Sequence, residues 1–515
     1  MRTGTAEQLH WLDQTTINGD LETGLLLMER ASRGLTDVAL QYLETEAEEG
    51  ELPWAAVFCG TGNNGGDGVA CARMLHEAGV KVRAFLVGKR EKMTPDSKAN
   101  EQRLNACGVR LEDFDPEDTD QHLFTCAAHV VIDALFGIGL GRDLAGDVVT
   151  AVEWINESDG IVIAADIPSG VQANTGCILG TAVQADATVT FTMAKPGHII
   201  GDGGLCTGAL YIVDIGLDPI LVDSLNYPVT ILEEDTVRKL LPQRPRDGHK
   251  GTFGKVLLLA GSKPYPGAPI MASHTATHSG AGLVFLGIPE TIYPITALKC
   301  VEEMPVALPD EQGALGEASV PVILEKLAEM QAALIGPGLG KLPQTQEVVK
   351  QVLKRCACPV VLDADGINAI AGHMDVLDAR RDRVTVLTPH DGEFARIGGD
   401  LSAGDRLGAT RAFAAAHGCI LVLKGHRTIT AVPSGNALVN TTGNSGLAKG
   451  GSGDVLTGVI VSLLAQGASP VQAAAGGVWL HGRAGDLAAE QLTAYGMTPE
   501  DVIASLPAAI REVLS

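Results

Sequence analysis

The stretch Trp54-Ala55-Ala56-Val57-Phe58-Cys59-Gly60-Thr61-Gly62-Asn63-Asn64-Gly65-Gly66-Asp67-Gly68 sets an apolar run against a glycine-rich break, and a helical apolar pattern resumes through Ala78. It predicts a buried strand, a tight loop and a helix, the opening of a nucleotide-binding βαβ unit. The spacing is not the dinucleotide fingerprint, and two asparagines with an aspartate are unusual where a plain phosphate loop needs only glycines. Upstream, Leu25, Leu26, Met28, Leu35, Val38, Ala39 and Tyr42 mark one apolar face and predict a helix over about 22–49. Downstream, strands are predicted at 82–87, 130–133 and 161–166, alternating with helices at about 95–106 and 145–158.

Two of these strands end in an aspartate and a loop, Asp133-Ala134-Leu135-Phe136-Gly137 and Asp166-Ile167-Pro168-Ser169-Gly170. In open parallel sheets the ligand crevice lies at the carboxyl ends of the strands. Asn63, Asn64, Asp67, Asp133, Asp166 and Ser169 are therefore expected along one edge. A single strand-end aspartate reads as a helix cap, whereas several on one edge read as a site.

The second half repeats the alternation, with strands predicted at 255–261, 284–286, 333–335, 360–363, 384–387 and 420–423. Its densest stretch is Thr441-Thr442-Gly443-Asn444-Ser445-Gly446-Leu447-Ala448-Lys449-Gly450-Gly451-Ser452-Gly453-Asp454, which runs into an apolar helical pattern. Glycines let backbone N–H groups converge and the helix adds its positive end, making a cradle for phosphate oxygens. Asp454 carries the wrong charge for a phosphate ligand and suits a base that takes a proton from a hydroxyl about to be phosphorylated. Alone, the same residues also read as a glycine-rich turn with an aspartate at a helix start.

Bulk properties bound the alternatives. A chain of 515 residues exceeds what one core usually holds, and a hydrophobic content of 45% with 19% charged residues describes a well-buried globular protein. A net charge of -24 argues against nucleic acid or a membrane surface as partner. The 10 cysteines include no C-x-x-C, there is no apolar leader and no long apolar run, and a cytoplasmic protein with reduced thiols is expected. The turn-rich stretch after Asp214 places a domain boundary near 220, giving domains 1–220 and 221–515.

The motifs NNGGDG (63–68), DALFGIGL (133–140), DIPSG (166–170) and DATVTF…KPG (186–197) resemble the N-terminal YjeF domain, the NAD(P)H-hydrate epimerase family. That resemblance implies a Rossmann-like three-layer α/β/α domain. It also implies a potassium ion held by Asn64, Asp133 and Ser169, and a hydrated nicotinamide cofactor surrounded by Asn63, Asn64, Gly65, Gly66, Asp67, Gly137, Ile138, Gly139, Leu140, Gly141, Arg142, Asp143 and Asp166. Asp166 is the expected acid/base group for epimerisation at the hydrated ring carbon, with Asp67 left open as the alternative. HKGTFG (249–254), GPGLG (336–340), LDADGIN (362–368), TPHDGEF (388–394), LKG with Thr428, and NSGLAKGGSGDVLTG (444–458) resemble the ADP-dependent NAD(P)H-hydrate dehydratases, a branch of the ribokinase-like superfamily. Asp391 and Ser445 depart from that pattern.

By this second resemblance the C-terminal domain is a ribokinase-like α/β/α fold, and Asp454 contacts the hydrate and is the base. Ala268, Gly338 and His390 line the hydrate pocket, while Lys424, Gly425, His426, Arg427, Thr428 and Gly453 bind ADP or AMP. ADP is the implied phosphoryl donor, with Mg²⁺ on its oxygens and phosphate and AMP released. Together the halves resemble the bifunctional NAD(P)H-hydrate repair enzymes, acting on NADHX and NADPHX, and a homo-oligomer is implied. Two other readings share these residues: a ribokinase-like small-molecule kinase, and a non-catalytic binding module in the first half.

Overall fold

The apolar run at Trp54–Cys59 is a strand, and it lies at the middle of a parallel sheet. The structure is a computed structural model and describes residues 1–46 and 52–515; positions 47–49 of the first expected helix lie outside the described residues. Two compact units are present, Arg2–Val229 and Thr230–Ser515 together with Met1.

In the first unit the strands are β1 (Trp54–Cys59), β2 (Lys81–Leu86), β3 (Leu111–Asp113), β4 (Val130–Ala134), β5 (Ile161–Ala165), β6 (Ala187–Phe191) and β7 (Ala209–Val213). They pair in parallel in the order β3-β2-β1-β4-β5-β6-β7. Helices α1 (Ala6–Ile17), α2 (Leu21–Glu46), α3 (Asn63–Glu77), α4 (Pro95–Ala106), α5 (Thr119–Cys126) and α6 (Asp147–Glu157) accompany the sheet. Because side chains alternate along a strand, Val57, Ile132 and Ile163 pack beneath Leu35 and Val38 of α2 and Val69 and Leu75 of α3. Phe58, Val131 and Val162 pack on the other face against Phe124 of α5 and Val152 and Ile155 of α6. Burial on both faces explains why these strands read as unbroken apolar runs.

The chain builds β1, β2 and β3 to one side and then returns to place β4 beside β1, so the loops after β1 and β4 face each other at a topological switch point. They are packed backbone to backbone: a Cβ on Gly60 would lie 1.9 Å from the Leu135 carbonyl oxygen, and one on Gly65 would lie 1.8 Å from the Gly60 carbonyl oxygen. Helix α1 was not among the expected elements. Its start is a capping box, in which Thr5 accepts from the Gln8 N–H and the Gln8 side chain accepts from the Thr5 N–H.

In the second unit the strands are β8 (Lys255–Leu259), β9 (Leu283–Pro289), β10 (Met304–Leu308), β11 (Ala332–Ile335), β12 (Val360–Leu362), β13 (Thr385–Leu387), β14 (Ile420–Leu423), β15 (Ile429–Ala431) and β16 (Ala437–Val439). Their order is β16-β15-β14-β13-β12-β11-β8-β9-β10, with β8 to β14 parallel and β15 and β16 an antiparallel edge that the sequence reading did not include. One face carries α7 (Ala268–His278), α8 (Ser452–Ala465), α9 (Pro470–Gly496) and α10 (Pro499–Leu514), whose Ala272, Val459, Trp479 and Leu506 join Val256, Leu334 and Val422 in one cluster. The alternate strand residues Leu257, Ile335, Leu362 and Leu421 are also fully buried, as are Val352 and Phe394 on helices of the other layer. The unit is α/β/α, with its switch point between β8 and β11. Among the described residues no helix is long and apolar enough to cross a membrane.

Gly65→Ala forces the start of α3 away from Gly60, where no flexible side chain can yield. Equilibrium urea denaturation should show the first unit destabilised by about 1–3 kcal/mol, the usual range for overpacking.

Candidate functional site

Each sheet carries a cluster of charged residues at the carboxyl ends of its strands. In the first unit, the loops after β1 and β4, the end of β5 and the inner side of α1 enclose a cavity of about 530 Å³. Its polar lining includes Asn64, Asp67, Asp166, Lys195, Asp13 and His10.

Asp166 stands one residue beyond β5 in a left-handed backbone conformation, φ +67. Neighbours hold it there: its N–H donates to the Val189 carbonyl at 2.8 Å and its carbonyl accepts from His198 Nε2 at 2.8 Å. His198 Nδ1 accepts from the Lys195 N–H at 3.0 Å, so the ring proton sits on Nε2. Burial, with the Lys195 charge beside it, depresses His198 to about 3 and keeps it neutral. The Asp166 carboxylate accepts from the Ile138 N–H at 3.1 Å and is ion-paired with Lys195 Nζ, which also donates to Thr190 Oγ1 at 2.5 Å. Asp67 is buried, and burial first, then Asp166 and Asp13, push its carboxyl well above the usual range.

Asp133 is fully buried behind this pocket. It accepts from the Ser169 hydroxyl at 2.6 Å and the Ser169 N–H at 2.7 Å, and the Phe136 N–H donates to Ser169 Oγ at 2.9 Å. Asn64 reaches the same β4 loop, since a Cβ on Gly137 would lie 3.4 Å from Asn64 Oδ1 and 2.7 Å from Asp166 Oδ2. Both polar atoms of the Asn64 amide are buried without a hydrogen-bond partner. An orphaned amide oxygen at the sheet edge that also carries the Asp133 carboxylate and the Ser169 hydroxyl offers oxygen donors, the kind a hard cation accepts. Of the other expected residues, Asn63 and Gly137 to Leu140 line the cavity, while Gly65 and Gly66 are buried in the first turn of α3. Gly141, Arg142 and Asp143 are exposed and do not line it.

In the second unit Lys424, just past β14, turns its ammonium inward. Nζ lies 2.8 Å from Asp363 Oδ1 and 3.8 Å from Glu393 Oε2. Thr388 Oγ1 donates to the same Asp363 oxygen at 2.7 Å. Burial alone would depress Lys424, yet Asp363 and Glu393 together hold it above its usual value. Asp454, half-buried in the first turn of α8, faces this pair. Burial and then the Asp363 charge raise its carboxyl to about 7, against the opposing pull of Lys424.

The N-cap of α8 is Gly451 at φ +100, with no side chain to accept from the first-turn N–H groups. A Cβ on Gly453 would meet only Lys424 Nζ at 3.5 Å and Asp363 Oδ2 at 3.7 Å, so the backbone there is open toward the charged pair. The glycine-rich loop is pinned from behind by Asp486 of α9, which accepts from the Gly443 N–H at 2.9 Å and Asn444 Nδ2 at 3.0 Å. Ala268 and Gly338 are brought together, 3.0 Å from a notional Gly338 Cβ to the Ala268 Cβ. His390 caps helix Asp391–Arg396 through Nδ1, and Gly425 to Thr428 form a turn closed by Thr428 Oγ1 on the Gly425 carbonyl at 3.1 Å.

Comparison with known proteins matches a family model to each unit. The family model for NAD(P)H-hydrate dehydratase matches residues 256–508, and that for the YjeF-related protein N-terminus matches residues 24–197. The bifunctional NAD(P)H-hydrate repair enzyme of Moorella thermoacetica is 37% identical over 99% of this chain and 96% of its own length. The chain belongs to the bifunctional NAD(P)H-hydrate repair enzymes. The enzyme of that name from Thermofilum pendens is also 37% identical, over 94% of this chain and 92% of its own. Among solved structures, the ADP/ATP-dependent NAD(P)H-hydrate dehydratase from Bacillus subtilis co-crystallised with ATP/Mg²⁺ is 33% identical, covering 56% of this chain and 100% of that one with a TM-score of 0.47.

Within this repair-enzyme chain, sequence reading gave no role to Asp13, Lys195, Asp363, Glu393 or Asp486. Lys195, Asp363 and Glu393 stand inside quoted motifs, and Asp363 directly follows a strand, the signal that marked it. Lys195 is the sole cation bonded to Asp166 among the described residues. Lys195→Met should destabilise the first unit by about 3–5 kcal/mol, because it leaves a buried carboxylate unpaired. Adding Asp166→Asn should restore a large part of that loss in a urea-denaturation double-mutant cycle.

Proposed function

We propose that residues 1–220 interconvert the R and S hydrates of NADH and NADPH, and that residues 221–515 dehydrate the S hydrate at the expense of ADP. The observation that carries the second assignment is Asp454, a half-buried carboxyl beside the open N-terminus of α8 and the Lys424–Asp363 pair.

Hydroxide is a poor leaving group and phosphate a good one, so dehydration profits from phosphorylating the ring hydroxyl first. Asp454, poised near neutrality, takes the hydroxyl proton as the oxygen attacks the terminal phosphorus of ADP and AMP departs. Backbone N–H groups near Gly451 to Gly453, together with the helix end, stabilise the charge on the group in transfer. Lys424 supplies a fixed cation, and its pairing with Asp363 and Glu393 sets where that charge lies. Elimination of phosphate with a ring proton then restores the reduced nicotinamide. Lys424 to Thr428 and Gly453 form the nucleotide side of the site, and Ala268, Gly338 and His390 the hydrate side. Mg²⁺ would enter with the nucleotide and would supply charge neutralisation for its phosphates.

In the first unit Asp166, ion-paired with Lys195, is the base of epimerisation in preference to Asp67, whose carboxyl burial pushes well above the usual range. Asn64, Asp133 and Ser169 would hold K⁺, which would supply a fixed positive charge to the site.

Asp454→Asn should keep ADP affinity within about threefold and lose about 10²–10⁴ in turnover, the usual worth of a general base. Recovery of absorbance by the reduced nicotinamide from hydrate plus ADP measures it, and surviving turnover would exclude Asp454 as the base. Because the base acts ionised and its carboxyl is raised to about 7, parent kcat/KM for the dehydration should fall as the pH drops below about 7.

A further inference from the structure

Asp13 has no part in the mechanism above, yet its carboxyl opens into the epimerase cavity. It projects from α1 beside Leu9 and His10, whereas Asp166 enters from the end of β5. The two carboxyls and the Lys195 ammonium share one low-dielectric space closely enough to act on one another. No hydrogen bond to the Asp13 carboxyl is present among the described residues. Lys195 is committed to Asp166 and Thr190, and His10 to Gln14 on the surface of α1. A half-buried carboxyl without a cation of its own keeps its proton more readily, and burial with the Asp166 charge raises it to about 6. Asp67, also facing this space, is likewise raised by burial but lies buried in α3.

We propose that Asp13 is the second acid/base residue of epimerisation, working with Asp166 on the ring hydroxyl; this rests on the epimerase reading of the cavity. In a hydrate formed across the enamine double bond, the hydroxyl carbon is bonded to the ring nitrogen. The C–O bond breaks with its electron pair going to oxygen, which takes the Asp13 proton and leaves as water. The nitrogen lone pair closes a C=N bond and gives a ring cation. A water molecule adds to the other face through its oxygen and loses a proton to the Asp166 carboxylate. Return of that proton to Asp13 through cavity water restores the starting state. One water leaves, one is gained, and no electron is transferred to or from another species. The reverse epimerisation exchanges the two roles.

The test starts from one purified epimer and the full-length enzyme in ¹⁸O-labelled water without ADP, following both epimers by chromatography and mass spectrometry. The parent should introduce one solvent oxygen per epimerisation. Asp13→Asn should lower kcat by about 10²-fold or more with KM within about threefold, and Asp13→Glu should recover about a tenth of the parent rate or more. Thermal melting of each variant reports folding, and if Asp13→Asn does not fold, the Asp13→Glu rate and the parent's label decide. Epimerisation by the parent without label, Asp13→Asn within about threefold of the parent, or Asp13→Glu as a folded but inactive protein would each overturn the proposal. An Asp166→Asn variant separates the levels: if it is inactive while Asp13→Asn is not, only the Asp13 assignment fails, and if both match the parent, the epimerase reading of this cavity fails with it.

Discussion

A desolvated ammonium group needs a carboxylate, and each unit meets that need at the carboxyl edge of its sheet: Lys195 with Asp166, Lys424 with Asp363. Removing either partner would leave a charge stranded in a medium that solvates it poorly. The pairing also fixes the chemistry of whatever acid stands next to it. Once the lysine is committed, a neighbouring carboxyl meets burial and a like charge with only partial compensation, and it is held toward its protonated form. Asp454 beside Asp363, and Asp13 and Asp67 beside Asp166, all follow this rule. Two carboxyls of one chemical type are thereby driven to opposite roles by their surroundings.

Topology decides why the pairs form where they do. In both sheets the chain runs outward from one strand and comes back to its other side, and the two strand ends left facing each other carry glycine-rich loops. Backbones approach closely there, Gly60 against Leu135 in one unit and the Gly261 N–H on the Pro337 carbonyl at 2.8 Å in the other. The crevice is lined by peptide groups as much as by side chains, which suits ligands rich in phosphate oxygen.

Much of this was legible in the sequence. The strands are short and apolar because they are buried on both faces, and the loops show their glycines and strand-end aspartates openly. Asn64, Asp133, Asp166, Ser169 and Asp454 could be picked out for that reason. Partnerships could not. Lys424 and Asp363 stand 61 residues apart and Lys195 and Asp166 stand 29 apart, and only pairing order brings them together. The inward turn of Lys424 was equally hidden, since a strand-end lysine reads as surface charge until its carboxylates are in view. Helix α1, with Asp13, escaped because its apolar face is narrow and only Leu9 and Leu12 are buried, although the capping box at Thr5 announced it. The antiparallel edge of β15 and β16 escaped because three-residue strands carry too little pattern to read.

The backbone of Asp166 sits where side chains beyond Cα are unwelcome, at φ +67, a conformation that glycine adopts freely. Exchange to glycine would relieve that conformational tension but would delete the carboxylate that balances the buried Lys195 ammonium, a loss larger than the strain returned. Heat resistance and catalysis therefore both hold this codon in place. A laboratory lineage selected for melting temperature alone would keep the strained residue and find its gains elsewhere in the chain.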